Sequence, residues 1–194
     1  MKKTIAITGG IGSGKTTLLK HLMIQGYTVL SSDDIVSKLY QSNSVKRKLK
    51  KLFPNAVHGF FNLTIDRGKI SQEVFNDKQK HLALTQLVTP MVLKEIQRLT
   101  AHLNGVCFVE VPLLFECGYQ AFFDEVWVVM RNVNDRIESV KLRSGLTEEQ
   151  ITARINNQVD YQSFDLSKYT VINNDGSIDE LFNKANQLIN SVKA

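Results

Sequence analysis

Ten residues near the amino terminus, TGGIGSGKTT (Thr8–Thr17), constrain this chain more than any other stretch. Gly9, Gly10, Gly12 and Gly14 crowd into a short segment that follows directly on the apolar run TIAIT at 4–8. An ordered glycine costs about 0.5–1 kcal/mol against alanine, so such a cluster needs a compensating use. Gly9, then four residues, then Gly14-Lys15-Thr16 satisfies the phosphate-binding P-loop pattern, with a strand before it and a helix after it. Glycines let successive backbone N–H groups turn inward around an anion, and the helix that follows adds its positive end to the same point. Lys15 supplies a full positive charge to the β- and γ-phosphates of a nucleotide, and the Thr16 hydroxyl is placed to ligate Mg²⁺. The loop therefore points to a nucleoside triphosphate with Mg²⁺.

The rest of the chain fits a fold built around such a loop. Strand-like runs at 4–8, 27–31, 106–111, 125–130 and 169–173 are nearly continuous in apolar residues, as expected of a parallel sheet covered by helices on both faces. A helix over 16–26 would place Leu18, Leu19, Leu22 and Met23 on one face and stop at Gly26. A final helix over 177–192 would place Ile178, Leu181, Phe182, Ala185, Leu188 and Ile189 on one stripe. The fold class is therefore α/β, a P-loop NTPase-type three-layer fold with a five-stranded parallel sheet.

Two insertions interrupt this core. About 75 residues separate the second strand from the third, far more than one crossover needs. They read as helical: SVKRKLKKLF, then SQEVFND, then a stretch over 79–103 broken or kinked at Pro90. The second insertion, 133–164, carries two helical patterns around Gly145 and few apolar anchors. The expected organisation is one domain: a core of 1–32, 104–132 and 165–194, a helical acceptor subdomain of 33–103 and a lid of 133–164.

Composition excludes several classes. There is no run of about 18 apolar residues, hence no expected membrane span, and no signal-peptide pattern. Cys107 and Cys117 form no zinc spacing or disulfide framework, which fits a reducing cytoplasm. The net charge of +5, from 24 Lys+Arg against 19 Asp+Glu, suits an anionic small molecule. Aromatic residues do not interleave with the basic ones, so nucleic acid is not an expected partner. The basic run Lys46–Lys51 reads as a solvated helix face.

The loop alone leaves the phosphoryl acceptor open among a small-molecule kinase, a nucleotide switch and a nucleic-acid motor. The guanine-specific signals of a GTPase are missing, and a motor is usually longer. The two insertions suit a small kinase. In VLSSDDIVSKLY, Asp33 would sit at the carboxyl edge of the sheet, where it could take a proton from an acceptor hydroxyl; alternatively Asp33 or Ser32 caps a helix. Asp34 reads as an exposed first-turn residue. Glu110, at the end of the strand in FVEVPLLFE, either serves the metal's water shell or is a carboxylate satisfied by local N–H groups. Arg136, Lys141, Arg143 and Arg154 are candidate lid cations that could stabilise charge on the transferred group; for any one of them the default reading is a solvated helix face.

The segments IAITGGIGSGKTT, VPLLFE, LRSGLTEEQITARINNQ and VINNDG resemble one family, the dephospho-coenzyme A kinases, across essentially the whole chain. The resemblance implies transfer of the γ-phosphoryl of ATP to the ribose 3′-hydroxyl of dephospho-coenzyme A, the last step of coenzyme A synthesis. It implies that Gly10, Ile11, Gly12, Ser13, Gly14, Lys15 and Thr16 bind the ATP phosphates and Mg²⁺, and that Asn174 lies on the adenine side. It implies Asp33 as base, with Lys15 and Arg143 as catalytic cations, and Asp33, Arg67 and Glu116 on the acceptor side. It further implies a cytoplasmic enzyme, monomeric or weakly homo-oligomeric, with a small-molecule substrate and neither nucleic acid nor membrane as partner. The sequence departs from the family pattern at Ser31, at Thr89 before Pro90, at Ser139 and at Lys168-Tyr169. Two alternatives remain: a nucleoside or nucleotide kinase, and a nucleotide-binding regulatory protein with weakened transfer.

Overall fold

The computed structural model describes residues 2–193. In chain order the elements begin with β1 (Lys3–Thr8), α1 (Lys15–Ile24), β2 (Thr28–Ser31), α2 (Ser32–Leu39) and α3 (Asn43–Leu52). They continue with β3 (Val57–His58), β4 (Thr64–Ile65), α4 (Arg67–Asn76), α5 (Lys78–Thr100), β5 (Val106–Glu110) and α6 (Leu114–Cys117). After a 3₁₀ turn at Gln120–Phe122 come β6 (Glu125–Met130), α7 (Val133–Ser144), α8 (Glu148–Asn156), β7 (Thr170–Asn173) and α9 (Ile178–Lys193). The chain divides into two compact units, one of Met1–Leu30 with His102–Ala194, the other of Ser31–Ala101.

The first unit is built on a five-stranded sheet of order β2-β5-β1-β6-β7. Strand β1 runs parallel to β5 and β6, and β6 parallel to β7. The glycine loop thus leaves the central strand of the sheet. The register Ile7↔Glu110 brings the end of β5 level with its start, while Thr8↔Val128 leaves β6 running two residues further, to Met130. Ile5, Ala6, Ile7, Trp127, Val128 and Val129 are fully buried, because helices cover both faces. Leu18, Leu19 and Leu22 of α1 and Leu181, Ala185 and Ile189 of α9 close one side of this core. Met23 and Ile178, expected on those buried stripes, are exposed instead: Met23 lies at the edge of the buried arc of α1, and Ile178 is the first residue of α9. Gly26, φ +85, ends the turn after α1 in the left-handed region.

The second unit is mainly helical. Val45, Leu49, Phe53, Ala56, Val57, Leu63 and Ile70 form its core, with Leu84, Leu87 and Met91 of α5 packed against them. The basic residues of α3 leave only Val45 and Leu49 fully buried on that helix. A two-stranded antiparallel β3–β4 ladder, too short to show period-two alternation, joins α3 to α4. Helix α5 passes through Pro90 without ending. Proline removes one hydrogen bond, but Leu84 and Leu87 before it and Met91, Val92 and Ile96 after it pack inward and hold both halves in one helix.

Candidate functional site

The site begins where β1 stops. Gly14 is the N-cap of α1, in the left-handed region at φ +101, and provides no side-chain cap. A Cβ there would collide with the Nδ2 of Asn174. Gly12, at φ +78, would bring a Cβ to 2.5 Å from the Arg136 carbonyl oxygen. Side chains at these two positions are therefore excluded by both backbone and neighbours. Among the described residues the amides of Gly12, Gly14, Lys15 and Thr16 donate to no protein acceptor. Four N–H groups at a helix start are a ready seat for an anion. The Ser13 hydroxyl is buried beside them with no hydrogen-bond partner among the described residues.

Lys15 is buried, and its ammonium donates to the carbonyl oxygens of Gly9 at 2.6 Å and Gly10 at 2.9 Å. Burial lowers its pKa from 10.5 to about 8; Glu110 and Glu116 oppose the fall, while Arg136 and Arg143 add to it. A charged, poorly solvated ammonium beside uncapped amides favours a polyanion over water. The Thr16 hydroxyl stands exposed in the first turn of α1. A hard hydroxyl oxygen next to an anion seat fits Mg²⁺, which commonly takes most of its ligands from phosphate and water. No cluster of three or more His, Cys, Asp or Glu side chains suited to a metal occurs among the described residues.

The loop is held from behind by residues far away in sequence. Asn174 is buried, takes the end of β7 to the Met130 carbonyl, and donates its side-chain amide to the Ser13 carbonyl at 2.9 Å. The Ile11 N–H donates to Gln158 Oε1 at 2.7 Å, and the Ile11 carbonyl accepts from Arg136 Nε at 2.9 Å. Tyr161 is buried with its hydroxyl 3.4 Å from the Thr8 hydroxyl. Glu116, inside α6, accepts from the Val159 N–H at 2.8 Å, and its other oxygen is buried without a hydrogen-bond partner among the described residues. Arg143 lies exposed in the last turn of α7, which ends at Gly145 in the left-handed region. Gly10, Ile11, Gly12, Ser13, Gly14, Lys15, Thr16, Glu116, Arg143 and Asn174 thus all belong to the first unit.

Asp33 and Arg67 belong to the second. Asp33 is exposed in the first turn of α2. The cap of that helix is Ser31, whose hydroxyl accepts from the Asp34 N–H at 3.2 Å, so neither Ser32 nor Asp33 has the capping role that stood as the alternative. The serine that departs from the family pattern is what starts the helix. Ser37 donates to the Asp33 carbonyl, and Arg67 donates to the Ser37 hydroxyl at 3.2 Å while lying 5.3 Å from the centroid of the Tyr40 ring. Arg67 therefore braces the helix that carries Asp33. At another of the departures, Ser139 accepts from Arg131 at 2.7 Å, so a guanidinium from the end of β6 reaches that position.

Gln158 and Tyr161 escaped residue-by-residue reading. Both follow α8 in an irregular segment where no periodicity applies, although Gln158 closes the LRSGLTEEQITARINNQ block.

Comparison with known proteins agrees with this geometry. A family model described as dephospho-CoA kinase matches residues 3–180. The dephospho-CoA kinase of Thermus thermophilus is 34% identical over 181 residues, covering 91% of this chain and 85% of the relative. A crystal structure of the Thermus thermophilus protein TT1252 superposes with a TM-score of 0.86 at 31% identity, over 100% of this chain and 99% of that one. A solved dephospho-CoA kinase from Campylobacter jejuni gives a TM-score of 0.68 at 26% identity, over 99% and 98% of the two chains. With a matched model spanning most of its length and a glycine loop, lysine and helix start built to seat phosphate, this chain belongs to the dephospho-CoA kinase family.

Proposed function

We propose that the protein transfers the γ-phosphoryl group of ATP to the ribose 3′-hydroxyl of dephospho-coenzyme A, giving coenzyme A and ADP. The observation that carries this reading is the buried Lys15 ammonium beside four unpaired amides, in a chain of this family.

The amides of Gly12, Gly14, Lys15 and Thr16 bind the phosphate oxygens. Lys15 exchanges the Gly9 and Gly10 carbonyls for the β- and γ-phosphates, trading neutral acceptors for charged ones. The Thr16 hydroxyl would hold Mg²⁺, which when bound neutralises charge on the phosphate chain. Asp33 accepts the proton of the 3′-hydroxyl as that oxygen bonds to the γ-phosphorus; the bond from that phosphorus to the bridging oxygen breaks, and ADP leaves. Arg143, carried by the 133–164 lid, comes down on the transferred group and offsets its charge. The 33–103 region receives the acceptor, and Arg67, which also braces α2, and Glu116 serve as acceptor-binding residues. Asn174 supports the loop on the adenine side. No helix among the described residues is long and apolar enough to cross a membrane, which is compatible with a cytoplasmic enzyme. It acts as a monomer or weak homo-oligomer.

Release of ADP, followed with ATP and Mg²⁺ against dephospho-coenzyme A and a panel of nucleosides and nucleotides, tests the reading. Turnover confined to dephospho-coenzyme A is expected. Turnover on a nucleoside alone, or ATP binding without turnover on any acceptor, would overturn it.

A further inference from the structure

A loop with glycines at 9, 10, 12 and 14 has little stiffness of its own. Whatever shape it keeps without nucleotide must be imposed from outside. At the middle of the loop that imposition is concentrated on one peptide residue. Both polar groups of Ile11 are engaged by side chains from the 133–164 region: Gln158 takes the N–H at 2.7 Å and Arg136 gives to the carbonyl at 2.9 Å. Arg136 is 9% exposed, and both hydrogen bonds of this grip are part-buried. The adjoining Val159 N–H is in turn fastened to Glu116 at 2.8 Å, and Tyr161 sits over Thr8 at the end of β1. Gly12, the next residue, donates its N–H to no protein acceptor among the described residues.

We propose that Gln158 and Arg136 are positioning residues for the phosphoryl donor: they clamp the Ile11 peptide so that the amides after it face the phosphates before ATP arrives, with Glu116 holding the segment that carries Gln158. The proposal rests on the reading of this loop as the ATP site. It has a corollary for the lid. Arg136 and Gln158 stay fastened to the loop, so the part of 133–164 that moves lies between them, and Arg143 is in that part. The benefit is preorganisation, since ordering the loop in advance removes that cost from binding.

Amide hydrogen exchange on the nucleotide-free protein reads the clamp directly. In the unaltered chain the Ile11 amide should exchange at least about tenfold more slowly than that of Gly12. Gln158→Leu keeps the bulk but has no acceptor, and should erase that protection. Gln158→Glu retains an acceptor oxygen and should preserve it. Calorimetry should then show Gln158→Leu binding ATP about tenfold more weakly, as expected from one net hydrogen bond. Equal exchange at Ile11 and Gly12 in the unaltered protein overturns the clamp whether or not any variant folds. So does an Ile11 amide as protected in Gln158→Leu as in Gln158→Glu. Failure of the unaltered protein to bind ATP would instead strike the ATP-site reading itself.

Discussion

Replacing Lys15 by methionine separates what this side chain contributes to binding from what it costs the fold. Its pKa falls from 10.5 to about 8, mainly because burial strips water from the ammonium. At about 1.4 kcal/mol per pH unit, holding Lys15 charged in the nucleotide-free protein costs about 3 kcal/mol. Below pH 8 both folded and unfolded chains carry the proton and the cost is complete. Between pH 8 and 10.5 the folded protein has released a proton that the unfolded chain still holds, so the free energy of unfolding rises with pH. Above 10.5 both are neutral and the cost is gone. The neutral amine keeps two N–H groups, enough for the Gly9 and Gly10 carbonyls, so those contacts survive deprotonation. Lys15→Met has no such titration. Urea unfolding of both proteins without nucleotide, at intervals from pH 7 to 10.5, should show the difference between them shift by about 3 kcal/mol in favour of the unaltered chain. Taking the difference cancels the other groups that titrate in this range. A difference that stays constant across the window refutes the assignment of a strained, desolvated ammonium. In the same range ATP affinity of the unaltered protein should weaken by up to about tenfold per pH unit above 8, because the nucleotide requires the charged form.

Asp33→Asn should leave ATP binding nearly intact and lower turnover by about 10²–10⁴-fold in the ADP-release assay, the usual weight of a general base. Arg143→Ala should lower turnover by about 10²-fold with an unchanged melting temperature, since the side chain is exposed. Gly14→Ala should weaken ATP binding by at least about tenfold in calorimetry, from the left-handed strain together with the collision with Asn174. Trp127→Ala, at a fully buried position, should cost about 3–5 kcal/mol in urea unfolding.

The sheet and the glycine loop were legible because each rests on local chemistry. Five apolar runs became five strands, and the loop pattern carries its own backbone requirements. The long α5 was less legible: Pro90 reads locally as a break, while the apolar residues on either side of it keep the helix whole. The β3–β4 ladder is too short to leave a periodic signal. Ile178 shares the angular position of Leu181, Ala185 and Ile189 but is the first residue of α9, and that place at the helix end is what no helical wheel contains. At the site, Lys15 and Thr16 announce themselves by spacing. The clamp on Ile11 joins residues 147 apart in sequence, and such a pairing exists only once the sheet has brought the segments together.

The first turn of α1 has no protein side chain closing it, because its cap is a glycine. A tetrahedral dianion bound there would complete what the polypeptide leaves open, and the substrate would become the last structural member of the helix. Inorganic phosphate or sulfate should then raise the melting temperature of the empty protein, and the fold should tighten or loosen with the supply of nucleotide around it.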